Sequence, residues 1–363
     1  MQHPDTHEPH TYDVAVIGGG AAGLSAALTL GRARRSVIVL DAGQPRNAPA
    51  AGAHNLLGNE GIAPADLLAR GSDEARSYGA RIVDATVTAA SGSMAEGFTL
   101  TTEPVAEAAT PAAAGSPSGT GAGPETGAST FTDSRTEAPT TVHARRIVLA
   151  SGAVDTLPQI PGLAERWGRD VIHCPYCHGY EVRDQRIGVL ATGPLWLHQA
   201  KLIRQWSDDV TVLLDSQPAP GDKDRSALES RGIRIIEGPV THIISEDDRL
   251  TGAQIEQQIG VDQQDEGDRS SVVPLDAILV GTRLRIDSAL VDDLGLATEE
   301  NPMGEFVPVD MRKATHVPGV FAAGNVTNVG AMIAAAMADG VMAGAQVNMD
   351  LVEEDFATAL VPA

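Results

Sequence analysis

Tyr12-Asp13-Val14-Ala15-Val16-Ile17-Gly18-Gly19-Gly20-Ala21-Ala22-Gly23 decides how this chain folds. Tyr12 to Ile17 is a short, mostly apolar strand that runs straight into a Gly-x-Gly-x-x-Gly turn. Leu24 to Arg34 then continues as a helix. Strand, glycine turn and helix in that order are the requirement for a dinucleotide-binding unit. Gly18 makes the tight turn, Gly20 lets backbone approach a pyrophosphate, and Gly23 allows helix and strand to pack closely. A second apolar strand, Ser36 to Leu40, ends at Asp41. An acid there, roughly 20 residues on from the turn, suits a ribose hydroxyl pair.

Outward from this unit, Arg46 to Gly61 is a loop of small and polar residues, followed by a helix from Pro64 to Tyr78. Arg81 to Val83 and Phe98 to Thr101 read as strands. From Glu103 to Pro139 the large apolar residues are only Val105 and Phe131, so this segment reads as a disordered insertion in a hairpin. Order resumes at Val142 and reaches the buried strand Ile147 to Ala150. A second strand–turn–helix unit follows: Arg186 to Leu190, then Ala191-Thr192-Gly193-Pro194-Leu195-Trp196, then a helix to Trp206. Its next strand, Val210 to Leu214, ends in Asp215. The closing run, Val320-Phe321-Ala322-Ala323-Gly324-Asn325, is a strand and turn before a small-residue helix from Gly330 to about Asp350. Such a helix can bring its amino terminus close to a ligand. Tight packing in a crowded core would suit the same composition.

The only two cysteines lie between the two units, in Cys174-Pro175-Tyr176-Cys177-His178-Gly179-Tyr180-Glu181. Thiols at this spacing can close a small disulfide ring, and the motif tends to lower the pKa of one of them. Three chemistries compete: a redox disulfide, half of a zinc site that His173 and His178 could complete, and covalent haem attachment through Cys-x-x-Cys-His. Zinc wants about four ligands, and there is no second cysteine pair. The redox disulfide is the reading that fits the glycine turn upstream.

With 363 residues the chain is long enough for two domains. It carries 26 Lys and Arg against 48 Asp and Glu, a net charge of −22, which repels nucleic acid and anionic membranes. Met1 to Thr11 has no apolar core of a signal peptide, and no apolar run approaches the roughly 18 residues of a membrane span. A cysteine pair in such a chain points to the reducing cytoplasm, where a disulfide is more often catalytic than structural.

Two nucleotide-type units, Cys-x-x-Cys at the start of the second, and Ala-Ala-Gly-Asn-Val before a final helix resemble the low-molecular-weight thioredoxin reductase family. The resemblance implies an α/β fold of two doubly wound, Rossmann-like domains. An FAD domain, residues 11–157 and 283–363, would be interrupted by a nicotinamide-nucleotide-type domain, residues 158–282, that carries the cysteines. It implies a homodimer as well. Carried over, Gly18, Gly20, Gly23 and Asp41 would hold the FAD pyrophosphate and adenosine ribose. Gly324 and Asn325 would meet the pyrophosphate and ribityl chain, Asn325 standing where the family usually has aspartate. Cys177 matches the cysteine beside the flavin and Cys174 the one that exchanges with substrate. His54 and Asn55 lie in a loop that resembles the family's flavin-facing segment.

Two departures bear on activity. The family's second fingerprint, Gly-x-Gly-x-x-Ala, has Ala191 for its first glycine and Trp196 for its small last residue, and Pro194 removes an N–H. The basic pair that reads the 2′-phosphate of NADPH is absent, with Asp215 nearby instead. The middle unit is therefore expected to keep its fold without NADP. The second cysteine is followed by His178 rather than aspartate, and this version looks like the dithiol oxidases that close disulfides in gliotoxin and holomycin. It implies a base that deprotonates a small-molecule dithiol, with Glu181 a candidate to orient it. A flavin disulfide reductase fed by NAD(P)H and a flavin redox sensor stay open as alternatives.

Overall fold

A computed structural model describes residues 11–105, 139–256 and 270–360. Strand β1 (Thr11–Ile17) leads through the glycine turn into α1 (Ala21–Arg32) and β2 (Val37–Asp41). After α2 (Pro64–Ser77) come β3 (Arg81–Ser93), β4 (Gly97–Pro104) and β5 (Thr141–Leu149). Strands β2, β1 and β5 pair in parallel, and β3 continues the parallel order beyond β2. Both β3 and β5 outrun this parallel part and hold β4 antiparallel between them. Strand β3 is longer than the Arg81–Val83 expected, because its outer half alternates small buried residues, Ala85 and Val87, with exposed ones. Strand β4 runs on through Glu103 and Pro104, into the stretch read as irregular. Residues 106–138 of that expected insertion lie outside the described residues.

From β6 (Val154–Thr156) the chain passes β7 (Val171–Ile172) and the single turn α3 (Pro175–His178) into a second parallel sheet. That sheet is built from β8 (Ile187–Leu190), α4 (Trp196–Ile203), β9 (Val210–Leu213), α5 (Asp222–Glu229) and β10 (Arg234–Ile236). An antiparallel meander follows, β11 (Val240–Glu246), β12 (Arg249–Glu256) and β13 (Ser270–Pro274). Strand β14 (Ala277–Val280) then returns, so the parallel order is β10-β9-β8-β14-β7. Its central strands β8, β9 and β14 are fully buried and nearly all apolar, as strands covered on both faces require, while β10 at the edge is not. Strand β15 (Arg283–Arg285) pairs with β6, and after α6 (Ser288–Asp293) the hairpin β16 (Glu299–Asn301) and β17 (Gly304–Phe306) completes this small sheet.

The last strand, β18 (Val320–Ala322), rejoins the first sheet beside β5. Helix α7 (Ile333–Ala359) covers it and continues past the Asp350 at which the sequence suggested an end. The extension is held by charge. Arg146, fully buried on β5, pairs with Asp350 at 2.5 Å and Glu354 at 3.0 Å, and Arg145 reaches Asp355 at 2.6 Å. Helix α7 crosses α1 in close contact: a Cβ at Gly340 would stand 2.0 Å from the Ala22 carbonyl oxygen. Its small residues therefore serve tight packing, while its first turn opens on the main cavity.

Candidate active site

The glycine turn behaves as its sequence predicts. Gly18 sits at φ +103°, and a Cβ there would meet the Ala150 carbonyl oxygen at 2.4 Å. A Cβ at Gly23 would meet Gly18 O at 1.9 Å, whereas at Gly20 it would meet nothing within 4 Å. Gly20 thus faces open space, a cavity of about 1010 Å³ lined by Gly18, Gly20, Asp41, Cys174, Gly324 and Asn325 among others. Helix α1 starts at Gly20 with no side-chain cap and no acid in its first turn. Its unpaired N–H groups and positive dipole end suit an anion such as a pyrophosphate. Asp41 accepts the Gly19 N–H at 3.0 Å and lines the same cavity.

Gly324, at φ +80°, brings the turn after β18 against Ala22. Asn325 donates to the carbonyl oxygens of Asn328 at 3.0 Å and Ala331 at 3.1 Å. An aspartate could not donate to either, so the amide fits the shape of this turn. The carbonyl end of Asn325 stays available as an acceptor for a ribityl hydroxyl. The residues present therefore fit FAD.

Both cysteines line the cavity together with His178. Cys174 is the N-cap of α3, and the Cys177 Sγ lies 2.6 Å from the Cys174 Sγ. Hydrogen bonding from Cys177, backbone N–H groups of Cys177 and Tyr176, and the charge of Arg46 pull the Cys174 thiol down to about 7, against the opposing effect of burial. Donation to Cys174 and burial push the Cys177 thiol up, so a reduced pair shares one proton. Arg46 is held by the buried Asp155, at 2.5 and 2.8 Å, and Asp155 also accepts Thr282 Oγ1 at 2.5 Å.

The His178 ring makes no hydrogen bond that would hold the turn. Both ring nitrogens are buried without a partner, and burial pushes the imidazole below its usual range, with Glu181 opposing and His54 adding to the shift. Glu181 does not orient it; it stands 3.4 Å from Nε2 of His54 instead. His54 Nδ1 meets Glu60 at 2.8 Å, and its ring centroid lies 6.4 Å from that of His178. Asn55, at φ +59°, donates Nδ2 to the Tyr176 carbonyl oxygen at 2.5 Å. The loop after β2 thus grips the cysteine turn. Sequence reasoning placed His54 and Asn55 near the flavin by resemblance alone and gave Arg46 and Glu60 no role. A polar loop directly following a nucleotide-type unit was the available signal.

At the second turn, Trp196 opens α4 and is only 8% exposed, packed among Ile187, Val189 and Ala200 of the second core. Thr192 Oγ1 donates to the Gly281 carbonyl oxygen at 2.6 Å. Asp215 is committed to the fold, accepting the Val240 N–H at 2.8 Å. Among the described residues, no group of three or more His, Cys, Asp or Glu is placed to hold a metal ion. Among them, too, no helix is long and apolar enough to cross a membrane.

Two sheets with parallel cores, a glycine turn opening on a shared cavity, and a cysteine pair ahead of β8 are features of a disulfide oxidoreductase. The chain belongs to the pyridine nucleotide-disulphide oxidoreductase family, whose model matches residues 12–340. The thioredoxin reductase tcpT of Claviceps purpurea is 31% identical over 352 residues, covering 93% of this chain and 95% of that protein. Among solved structures, HlmI is 35% identical, with a TM-score of 0.79 over 97% of each chain. An oxidoreductase from Agrobacterium tumefaciens is 31% identical, with a TM-score of 0.77 over 94% of this chain and 99% of that one. Thioredoxin-reductase-like members of the family generally bind FAD.

Proposed function

We propose that this enzyme is an FAD-dependent dithiol oxidase. It closes a small-molecule dithiol into a disulfide through a Cys174–Cys177 redox disulfide, and oxygen leaves as hydrogen peroxide. The observation that carries the reading is the second turn, where buried Trp196 stands in place of the small residue a nicotinamide nucleotide needs. Pro194 and Asp215 weaken the same ligand, which argues against NADP as a working cofactor. The reading includes the division into an FAD domain, 11–157 with 283–363, and an inserted domain, 158–282. It also includes a cytoplasmic homodimer.

Gly18, Gly20, Gly23, Asp41, Gly324 and Asn325 would hold FAD, which when bound supplies a two-electron acceptor able to pass its electrons to oxygen. The protein's own residues handle sulfur and protons. His178, uncharged through burial, takes a proton from a substrate thiol. The thiolate attacks the disulfide at Cys174, and Cys177 leaves. Attack by the second substrate thiolate on its own sulfur in the mixed disulfide frees Cys174 and releases the cyclic product.

The test is aerobic incubation with a panel of small dithiols, following oxygen uptake and peroxide. Turnover with peroxide matching disulfide formed is expected; no oxygen uptake with any dithiol overturns the proposal. A disulfide reductase is the competing reading, favoured by the name thioredoxin reductase that relatives carry.

A further inference from the structure

We infer that Arg46, clamped by Asp155, supplies the fixed positive charge that stabilises the sulfur anion formed when the Cys174–Cys177 disulfide opens. The inference rests on the dithiol reading above. A substrate thiolate attacks Sγ of Cys174, the S–S bond breaks, and its electron pair goes to Sγ of Cys177. The second substrate thiolate closes the product disulfide, and the pair from the mixed disulfide goes to Sγ of Cys174. Of the two substrate protons, one is retained between the enzyme sulfurs, Cys177 donating to Cys174, and the other is lost to solvent. One negative charge therefore stays in the cavity.

The guanidinium is held where that charge forms. Nε and Nη2 of Arg46 donate to the two oxygens of Asp155 at 2.5 and 2.8 Å, and Thr282 Oγ1 donates to the same carboxylate at 2.5 Å. Asp155 lies on β6 and Thr282 just before β15, the paired strands that join the two large sheets. Arg46, Asp155, Thr282 and both cysteines line one cavity. The carboxylate occupies only the Nε–Nη2 edge of the planar fork. Nη1 has no hydrogen bond or ion pair among the described residues, and it is not sealed from the cavity. With the Arg46 side chain 21% exposed, little solvent weakens its charge.

The other groups around the sulfurs do not replace it. Burial pushes His173 and His178 down, so both are neutral at pH 7. Glu181 is turned to His54. Arg283 and Arg285 reach the cavity from β15 as exposed residues, and Arg283 pairs with Glu300 at 2.8 Å. Burial opposes an anion on either sulfur, and Arg46 favours it on both.

The readout is the pH profile of the sulfurs. Reduced holoenzyme, freed of reductant, is carboxymethylated without oxygen across a pH series. In Arg46→Met the low midpoint should move up by about one unit, and exchange of the oxidised enzyme with dithiothreitol at neutral pH should slow about threefold. Arg46→Lys keeps a charge and should recover part of both losses. An unshifted midpoint in Arg46→Met overturns the inference. That variant also strands Asp155, whose own charge disfavours a thiolate, so the double variant Arg46→Met, Asp155→Asn separates the two effects. It leaves no unpaired charge, and so keeps the question answerable should Arg46→Met fold poorly. Its midpoint should stay raised; a return to about 7 would show that the stranded carboxylate was acting, and Arg46 loses the role. Wild-type enzyme that does not exchange with dithiothreitol at all removes the dithiol reading and this role with it. Normal wild-type exchange beside an unshifted Arg46→Met midpoint removes the role of Arg46 alone.

Discussion

Asn55 donates its side-chain amide to the backbone carbonyl of Tyr176 at 2.5 Å, across 121 positions of sequence. This bond fastens the loop that follows the first nucleotide unit to the turn between the two cysteines. Asn55 tolerates its positive φ of 59° better than most residues, because asparagine is among the few that visit the left-handed region readily.

Asn55→Gly should keep that backbone conformation and lose the bond. A loss of about 1 kcal/mol is expected, with dithiol exchange slowed as the loop loosens. Urea unfolding checks the first and the quenched thiol count the second. Unchanged exchange would show that the loop does not position the turn.

The reduced cysteine pair should react at lower pH than an ordinary thiol. With Cys174 pulled down to about 7, carboxymethylation of the reduced protein should rise with a midpoint near there, below the ~8.5 of a free cysteine. Cys174→Ser should remove this phase and leave only alkaline reactivity at Cys177. A wild-type midpoint near 8.5 contradicts the arrangement.

Stability should fall on acidification through buried histidine. Burial pushes His173 down to about 4, with Arg46 and His178 adding to the shift and Asp155 opposing it. The unfolded chain would bind that proton near pH 6.5, so the contribution is whole above this pH and is lost as pH falls towards about 4. The slope approaches about 1.4 kcal/mol per pH unit for one such group. Urea midpoints at pH 7.5 and 5 measure it, and His173→Phe should flatten the difference. Equal midpoints for wild type contradict this account.

Arg146 ties β5 to the acidic end of α7, and Arg146→Ala should cost about 3 kcal/mol by stranding its partners and emptying a packed site. Thermal unfolding checks it, and a change below about 0.5 kcal/mol would mean that α7 is held by its apolar face alone.

These charges explain one limit of the sequence. The two glycine turns and the buried strands were legible because each signal is local: an apolar run, then a turn only certain residues can make. The end of α7 was not, because Asp350, Glu354 and Asp355 oppose the dipole of a helix C-terminus when read alone. They become compatible with it only against arginines about 200 positions away. The outer half of β3 was missed for a different reason, since its alanines, serines and glycine carry little strand preference and the pairing with β4 decides. At the site, Cys174, Cys177 and His178 stood out as a motif. The groups that surround them, Arg46, His54 and Glu60, arrive from a loop whose placement depends on contacts such as Asn55 with Tyr176. No spacing in the sequence encodes that placement.

The central claim is that electrons enter from a dithiol and not from a nicotinamide nucleotide. Flavin absorbance of the anaerobic holoenzyme measures this directly. The account predicts that NADPH or NADH leaves the yellow flavin largely oxidised over many minutes, while a small dithiol bleaches it and readmitted oxygen restores the colour with peroxide formed. Rapid bleaching by micromolar NADPH would contradict the account and make this enzyme a reductase.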